Sequence, residues 1–81
     1  MKMPRNISSE DLAKSLSQFG YSIVRQTGSH IRLVTLQKGE HHVTVPAGKP
    51  MRIGTISSIL NEVADHFGLS REDLLSRLFG S

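Results

Sequence analysis

The chain has 81 residues, a formal net charge of +3, four histidines and no cysteine. A chain of this length forms one domain, residues 1–81, and buries at most roughly two thirds of its unfolded surface. The lack of cysteine excludes a disulfide-stapled scaffold and a thiolate zinc module. No apolar run approaches a membrane span, and the first residues lead into no signal segment, so we expect a soluble, cytoplasmic protein.

A first helix is predicted after the serine pair at residues 8–9. Either Ser8 or Ser9 can cap it, because a side-chain oxygen there can accept a hydrogen bond from a free backbone N–H of the first turn. The apolar residues that follow recur at helical spacing, namely Leu12, Leu16 and Phe19. Gly20 is the type of residue that ends a helix.

Three strands are predicted next, over residues 21–26, 30–36 and 41–45, joined by turns at 27–29 and 37–40. Alternation along a strand places successive side chains on opposite faces of the sheet. If the apolar residues of the second and third strands face the helices, the opposite, uncovered face holds four polar side chains: His30, Arg32, His42 and Thr44. This prediction depends on strand register, because a one-residue bulge would undo it.

Two further helices follow the loop at residues 46–50. The first is predicted to begin after Gly54 with Thr55 as its cap, and to end at Gly68. The second begins at Ser70, where Ser70 and Asp73 have roughly the spacing of a capping box. The order predicts an α+β fold in which helices cover one face of a three-stranded antiparallel sheet, with a short additional helix at the C-terminal end.

The charges of the chain are unevenly distributed. Residues 21–55 hold five basic side chains against Glu40 alone, whereas residues 56–81 hold two basic and four acidic ones. The basic region includes His30, which follows a Gly-Ser turn and has the side-chain type that titrates near neutral pH. This combination favours a polyanionic partner, although ordinary solvated charges would give the same composition.

Several segments together make the chain similar to the HicA toxin family, small RNA-cleaving toxins of type II toxin-antitoxin modules. The likeness covers about residues 9–75. It is carried, in family order, by Gly20-Tyr21, Val24-Arg25-Gln26-Thr27-Gly28-Ser29-His30, Val43-Thr44-Val45-Pro46, Gly48-Lys49, Gly54-Thr55-Ile56 and Ile59-Leu60. One departure is Ala47, because many members have a polar residue shortly after the Val-Pro pair.

The resemblance implies a fold similar to double-stranded-RNA-binding domains, cleavage of messenger RNA without a metal or other cofactor, and inhibition of translation. It also implies an antitoxin of the HicB type as partner. His30 matches the catalytic histidine of the family. We expect Arg25, Ser29, Arg32 and Lys49 to contact RNA, although Lys49 could equally be a simple loop charge.

The chemistry expected of His30 follows from what metal-free RNA cleavage requires. A neutral imidazole can accept the proton of the 2′-hydroxyl as it attacks phosphorus, and basic side chains can hold the charge that develops on the phosphoryl oxygens. A hydrolase pair formed by Ser29 and His30 is not expected, because adjacent strand residues point to opposite faces. The same geometry argues against one metal held by His41 and His42, and we expect no metal site.

Two alternatives remain open from the residues. A binding module of the same fold would hold RNA through basic side chains, including Lys38, without cutting it. A protein-interaction domain would have no affinity for RNA. His42 is a candidate second acid or base, although a solvent-facing strand histidine is the more ordinary interpretation, and His66 is assigned no catalytic role.

Overall fold

A computed structural model describes residues 6–47 and 50–80. The elements, in chain order, are α1 (Ser9–Leu16), a 3-10 turn (Ser17–Phe19), β1 (Ser22–Gln26), β2 (His30–Thr35), β3 (His41–Pro46), α2 (Ile53–Phe67) and α3 (Arg71–Phe79). The strands form one antiparallel sheet in the order β1-β2-β3. This is the predicted α-β-β-β-α arrangement of double-stranded-RNA-binding domains, with α3 as an additional helix.

The caps of α1 and α3 agree with the serine positions in the sequence. Ser8 caps α1 in a full capping box: its hydroxyl accepts from the backbone N–H of Asp11, whose carboxylate accepts from the backbone N–H of Ser8. Ser70 caps α3 by accepting from the N–H of Asp73 at 3.1 Å. These contacts fix where both helices begin.

The predicted start of α2 was wrong. Thr55 is not the cap, because the helix begins two residues earlier at Ile53, with Arg52 as N-cap and no side-chain hydrogen bond. The backbone N–H of Ile56 donates to the carbonyl of Arg52 at 3.1 Å. Gly54 was interpreted as a break before the helix, yet glycine adopts helical angles readily and here lies in the first turn.

One hydrophobic core lies between the helices and one face of the sheet. The sheet contributes the alternating buried residues Ile31, Leu33, Val43 and Val45, and each helix contributes its apolar side, including Leu12, Leu16, Ile56, Leu60, Val63, Leu74 and Leu78. The alternate residues of β2 and β3 on the other face are mostly exposed. The sheet therefore has a covered face and an open face, as predicted.

A β-bulge in β1 changes which of its side chains lie on the open face. Ile23 pairs with Leu33, but the next pair along the strand is Arg25 with Arg32, so Val24 is the additional residue. Without the bulge, Arg25 would pair with Ile31 and belong to the covered face. With it, Arg25 lies on the open face beside Arg32.

Candidate active site

The polar residues of the open face surround a shallow cavity of about 220 Å³. Its lining comes from all three strands and the first turn, namely Arg25, Thr27, His30, Arg32 and Thr44. The register explains the set, because Arg32 lies between Arg25 on one side and Thr44 on the other. Three of the residues selected from the sequence, Arg25, His30 and Arg32, therefore lie together.

The turn before His30 is held by the Thr27 side chain, which the sequence reasoning did not select. Its hydroxyl oxygen accepts from the backbone N–H of Ser29 at 3.3 Å and from that of His30 at 3.1 Å. The backbone N–H of Thr27 in turn donates to the carbonyl of His30 at 2.9 Å. A threonine three residues before the histidine is a turn-forming signal that could have identified this role.

Ser29 contacts His30 directly, which corrects the sequence-based expectation. The Ser29 Oγ lies 3.0 Å from the His30 Nδ1. The expectation failed because it applied a rule for strand residues to Ser29, which belongs to the turn predicted at residues 27–29, while β2 begins at His30 as predicted. The rule that neighbours face opposite ways applies within a strand and not across its first residue.

The Ser29 contact occupies one ring nitrogen of His30 and leaves Nε2 for a ligand. When the serine hydroxyl accepts from Nδ1–H, Nε2 carries a lone pair and can act as a base. When the hydroxyl donates to Nδ1, the ring is neutral and Nε2–H can only donate a hydrogen bond. Nε2–H can act as an acid when both ring nitrogens are protonated and Nδ1–H donates to the serine hydroxyl. The imidazole is exposed, so either form is open to a substrate from solvent.

Arg25 and Arg32 give the cavity its positive charge. They are directly opposite each other on neighbouring strands, and like charges in that relationship are destabilising. Within residues 6–47 and 50–80, no carboxylate forms an ion pair with either guanidinium. Two exposed arginines beside an exposed imidazole suit an anionic ligand. Lys49, the other basic residue expected to contact RNA, lies outside the described residues.

The adjacent histidines 41 and 42 have separate environments on opposite faces. His41 belongs to the covered side, where its Nδ1 lies 2.7 Å from the Tyr21 hydroxyl and its ring stacks on His66 at 4.5 Å between centroids. Burial and the neighbouring His66 lower the pKa of His41. Burial, with a contribution from Glu62, raises the pKa of Tyr21 to about 12. The proton between Tyr21 and His41 therefore belongs to the phenol at neutral pH.

His66 ties the end of α2 to the turn between β2 and β3. Its Nε2–H donates to the carbonyl of Gln37 at 2.9 Å, and the Lys38 Nζ donates to the carbonyl of Phe67 at 3.4 Å. These contacts place His66 on the covered side, away from His30. Among the described residues, no group of three or more potential ligands from histidine, aspartate and glutamate lies close enough to hold a metal ion.

Comparison with known proteins shows the family of this chain. Residues 9–64 match the family model described as HicA toxin of bacterial toxin-antitoxin. The chain belongs to the HicA toxin family. The match includes α1, the whole sheet and most of α2, and so contains every residue of the cavity. No curated protein and no solved structure matches the chain.

Membership of the HicA family makes the protein the toxin of a toxin-antitoxin system, with an antitoxin as its partner. Ala47, where the sequence is expected to depart from the family pattern, lies beside the turn that precedes His30, because its backbone N–H donates to the carbonyl of Ser29 at 2.8 Å. A side chain longer than alanine at this position would lie next to the turn that holds His30. None of the described helices is long and apolar enough to cross a bilayer.

Proposed function

We propose that this HicA-family protein is an endoribonuclease that cuts messenger RNA without a metal and thereby inhibits translation. The observation that carries the proposal is the open-face cavity, which His30 lines together with Arg25 and Arg32 while its Nδ1 contacts the Ser29 hydroxyl. An exposed imidazole and two guanidinium groups that form no ion pair with a carboxylate of the described residues match the needs of a phosphodiester substrate. Family membership supports the same chemistry.

In the proposed reaction His30 is the general base. The 2′-hydroxyl gives its proton to Nε2 as its oxygen forms a bond to the adjacent phosphorus. The bond from phosphorus to the 5′ oxygen breaks, and that oxygen takes a proton from solvent, to which the exposed site is open. The products are a 2′,3′-cyclic phosphate and a 5′-hydroxyl.

Arg25 and Arg32 bind the phosphate in this scheme. Fixed donors act most strongly on the charge that develops in the transition state, when negative charge on the phosphoryl oxygens is greatest. A positioned acid or base alone contributes about a hundredfold to ten-thousandfold, so charge stabilisation must supply part of the rate. Ser29 orients the imidazole, and Lys49 remains a candidate RNA contact on the loop after β3.

We propose that the antitoxin is of the HicB type and inhibits by covering the open face. The groups needed for catalysis all lie on that face and are exposed in this chain. A protein that presents acidic side chains to Arg25 and Arg32 would neutralise the like-charge pair and block access to His30 at the same time.

The proposal is tested with three strands of identical sequence: RNA, 2′-O-methyl RNA and DNA, each incubated with purified protein in excess chelator. We expect cleavage of RNA only, because the other two strands lack the nucleophilic hydroxyl. The 3′ ends should resist ligation and labelling until the cyclic phosphate is opened and the resulting phosphate is removed. Cleavage of 2′-O-methyl RNA would rule out the 2′-hydroxyl mechanism, and RNA binding without cleavage would instead indicate a binding module.

A further inference from the structure

The open face of the sheet continues past the cavity that holds His30. Residues two apart on a strand share a face, so His30, Arg32 and Val34 follow one another along β2. Val34 lies opposite Ser22 on β1 and His42 on β3, one row beyond the pair of arginines. Val34 is about 13 Å along the strand from His30, at roughly 3.3 Å per residue.

This second part of the face is a shallow depression of about 590 Å³. Seven residues line it, namely Gly20, Ser22, Val34, Leu36, Gln37, Glu40 and His42. Its floor is apolar, and Leu36 is 76 % exposed, which is unusual for a large aliphatic side chain. A flat apolar floor beside a phosphate-binding surface suits the face of a nucleobase.

One polar pair stands at the edge of the depression. The Glu40 Oε2 lies 2.7 Å from the His42 Nε2, and both side chains are half exposed or more. Within the described part of the chain, the other carboxylate oxygen of Glu40 has no hydrogen-bond donor. A carboxylate oxygen is an acceptor only, so this edge selects a ligand with an N–H group.

We propose that the depression is a nucleobase subsite that takes a base with an exocyclic amino group and disfavours uracil. The proposal rests on the proposed function, since the RNA strand must also cross the cavity that holds His30. Adenine, cytosine and guanine present an amino donor to Glu40. Uracil presents carbonyl oxygens on both sides of its one N–H, and these would face the carboxylate.

The subsite is continuous with the catalytic cavity through Arg32, which lies between His30 and Val34 on the same face. The base bound there belongs to a nucleotide some distance from the cut phosphate, given the separation along β2. The sequence preference of cleavage would therefore include a position away from the cut, set by Glu40 and by the apolar floor.

The test measures binding of fluorescent hexanucleotides to the His30→Ala protein at low salt, with oligo(A), oligo(C) and oligo(U) as probes. We expect oligo(A) and oligo(C) to bind about tenfold more tightly than oligo(U), the discrimination expected of a specific base contact. Glu40→Gln should reduce the difference to about twofold, since an amide offers both a donor and an acceptor. Glu10→Gln, an exposed acid on α1, is the matched control and should keep the preference.

A second variant, at Leu36, tests whether the apolar floor of the depression contributes to RNA binding. Leu36→Ser should weaken binding of all three probes by severalfold, and the exposed position means that the fold is retained, which circular dichroism checks. Equal affinity for the three probes, or a preference that persists in Glu40→Gln, would overturn the subsite while leaving cleavage by the wild-type protein intact. No effect of Leu36→Ser on any probe would also overturn it.

Discussion

The hydroxyl of Ser29 lies 3.0 Å from the Nδ1 of His30, and this contact engages one ring nitrogen of a histidine that lines the open-face cavity. The contact is made between neighbours in sequence, across the boundary between a turn and a strand. Thr27 fixes that boundary by accepting two backbone N–H groups. The geometry of His30 thus depends on two turn residues, Thr27 and Ser29, in addition to its pairing with Pro46 in the sheet.

Removing the Ser29 hydroxyl should therefore reduce turnover without changing stability. We expect Ser29→Ala to lower kcat by about fivefold with little change in KM, because one orienting hydrogen bond contributes roughly 1 kcal/mol. Ser29→Thr keeps the hydroxyl and should restore most of the rate. Steady-state cleavage of a fluorogenic RNA measures both constants, and a Ser29→Ala enzyme with wild-type kcat would show that the contact has no role.

Replacing either of the two opposed arginines should weaken RNA binding and at the same time stabilise the fold. Arg25→Gln or Arg32→Gln should weaken RNA binding and reduce the dependence of log affinity on log salt by about one phosphate contact. Each should also raise the free energy of unfolding by about 0.5 kcal/mol, because a like-charge pair is removed.

Arg77→Gln is the control for the arginine pair, since Arg77 is exposed on α3. It should change neither the salt dependence nor the affinity for RNA. Salt titrations and urea denaturation provide the two measurements. Unchanged RNA affinity in both the Arg25 and Arg32 variants would mean that the phosphate is held elsewhere.

Tyr21 should titrate far above its usual range. It is the one tyrosine of the chain, so tyrosinate absorbance reports it alone. Burial raises its pKa to about 12 in the folded state, against 10.0 for the model compound. The raised value stabilises the fold fully below pH 10, and this contribution is lost as the pH rises from 10 towards 12.

Tyrosinate absorbance is measured from neutral to strongly alkaline pH, and circular dichroism on the same samples shows whether the protein is still folded. Tyrosinate should form near pH 12 in buffer and near pH 10 in denaturant. A midpoint near 10 while the fold is intact would contradict the burial of the phenol and its donation to the Nδ1 of His41.

Glycine is required at position 20 because the backbone there has a positive φ and because a Cβ would lie too close to neighbouring side chains. Its φ is +82°, and a Cβ there would lie 2.6 Å from the Gln37 Nε2 and 3.0 Å from the Thr35 Oγ1. We expect Gly20→Ala to destabilise the protein by at least about 1–2 kcal/mol in urea denaturation. Gly54→Ala is the opposite case, because Gly54 is helical and a Cβ there meets nothing within 4 Å. Gly54→Ala should raise the free energy of unfolding by about 0.5–1 kcal/mol. Equal effects of Gly20→Ala and Gly54→Ala on this free energy would contradict the account.

The periodic spacing of apolar residues in the sequence was sufficient to predict the fold. Ile31 and Leu33 on β2, with Val43 and Val45 on β3, alternate cleanly, so the covered and open faces could be assigned before the structure. Ser70 was a recognisable cap, and the sequence narrowed the cap of α1 to Ser8 or Ser9, of which the structure uses Ser8. The start of α2 was not recognisable from the sequence. Its N-cap, Arg52, makes no side-chain capping hydrogen bond, and no residue type marks a cap of this kind.

The site was less accessible to sequence reasoning because two of its features depend on irregular backbone. Arg25 reaches the open face through the bulge at Val24, and a pattern of alternating residues would have placed it on the covered face. Ser29 contacts His30 because it belongs to the turn predicted at residues 27–29, where the rule for neighbours within a strand does not apply. The bulge at Val24 has no residue signature that a single sequence makes visible.

The catalytic role of His30 is the central claim, and the rate of RNA cleavage in chelator tests it most directly. Wild type, His30→Ala and His66→Gln are purified identically, and their folds are compared by thermal melting. We predict that His30→Ala cleaves at least about a hundredfold more slowly, the contribution typical of a positioned general base, while His66→Gln remains active. Cleavage by folded His30→Ala at the wild-type rate would contradict the account.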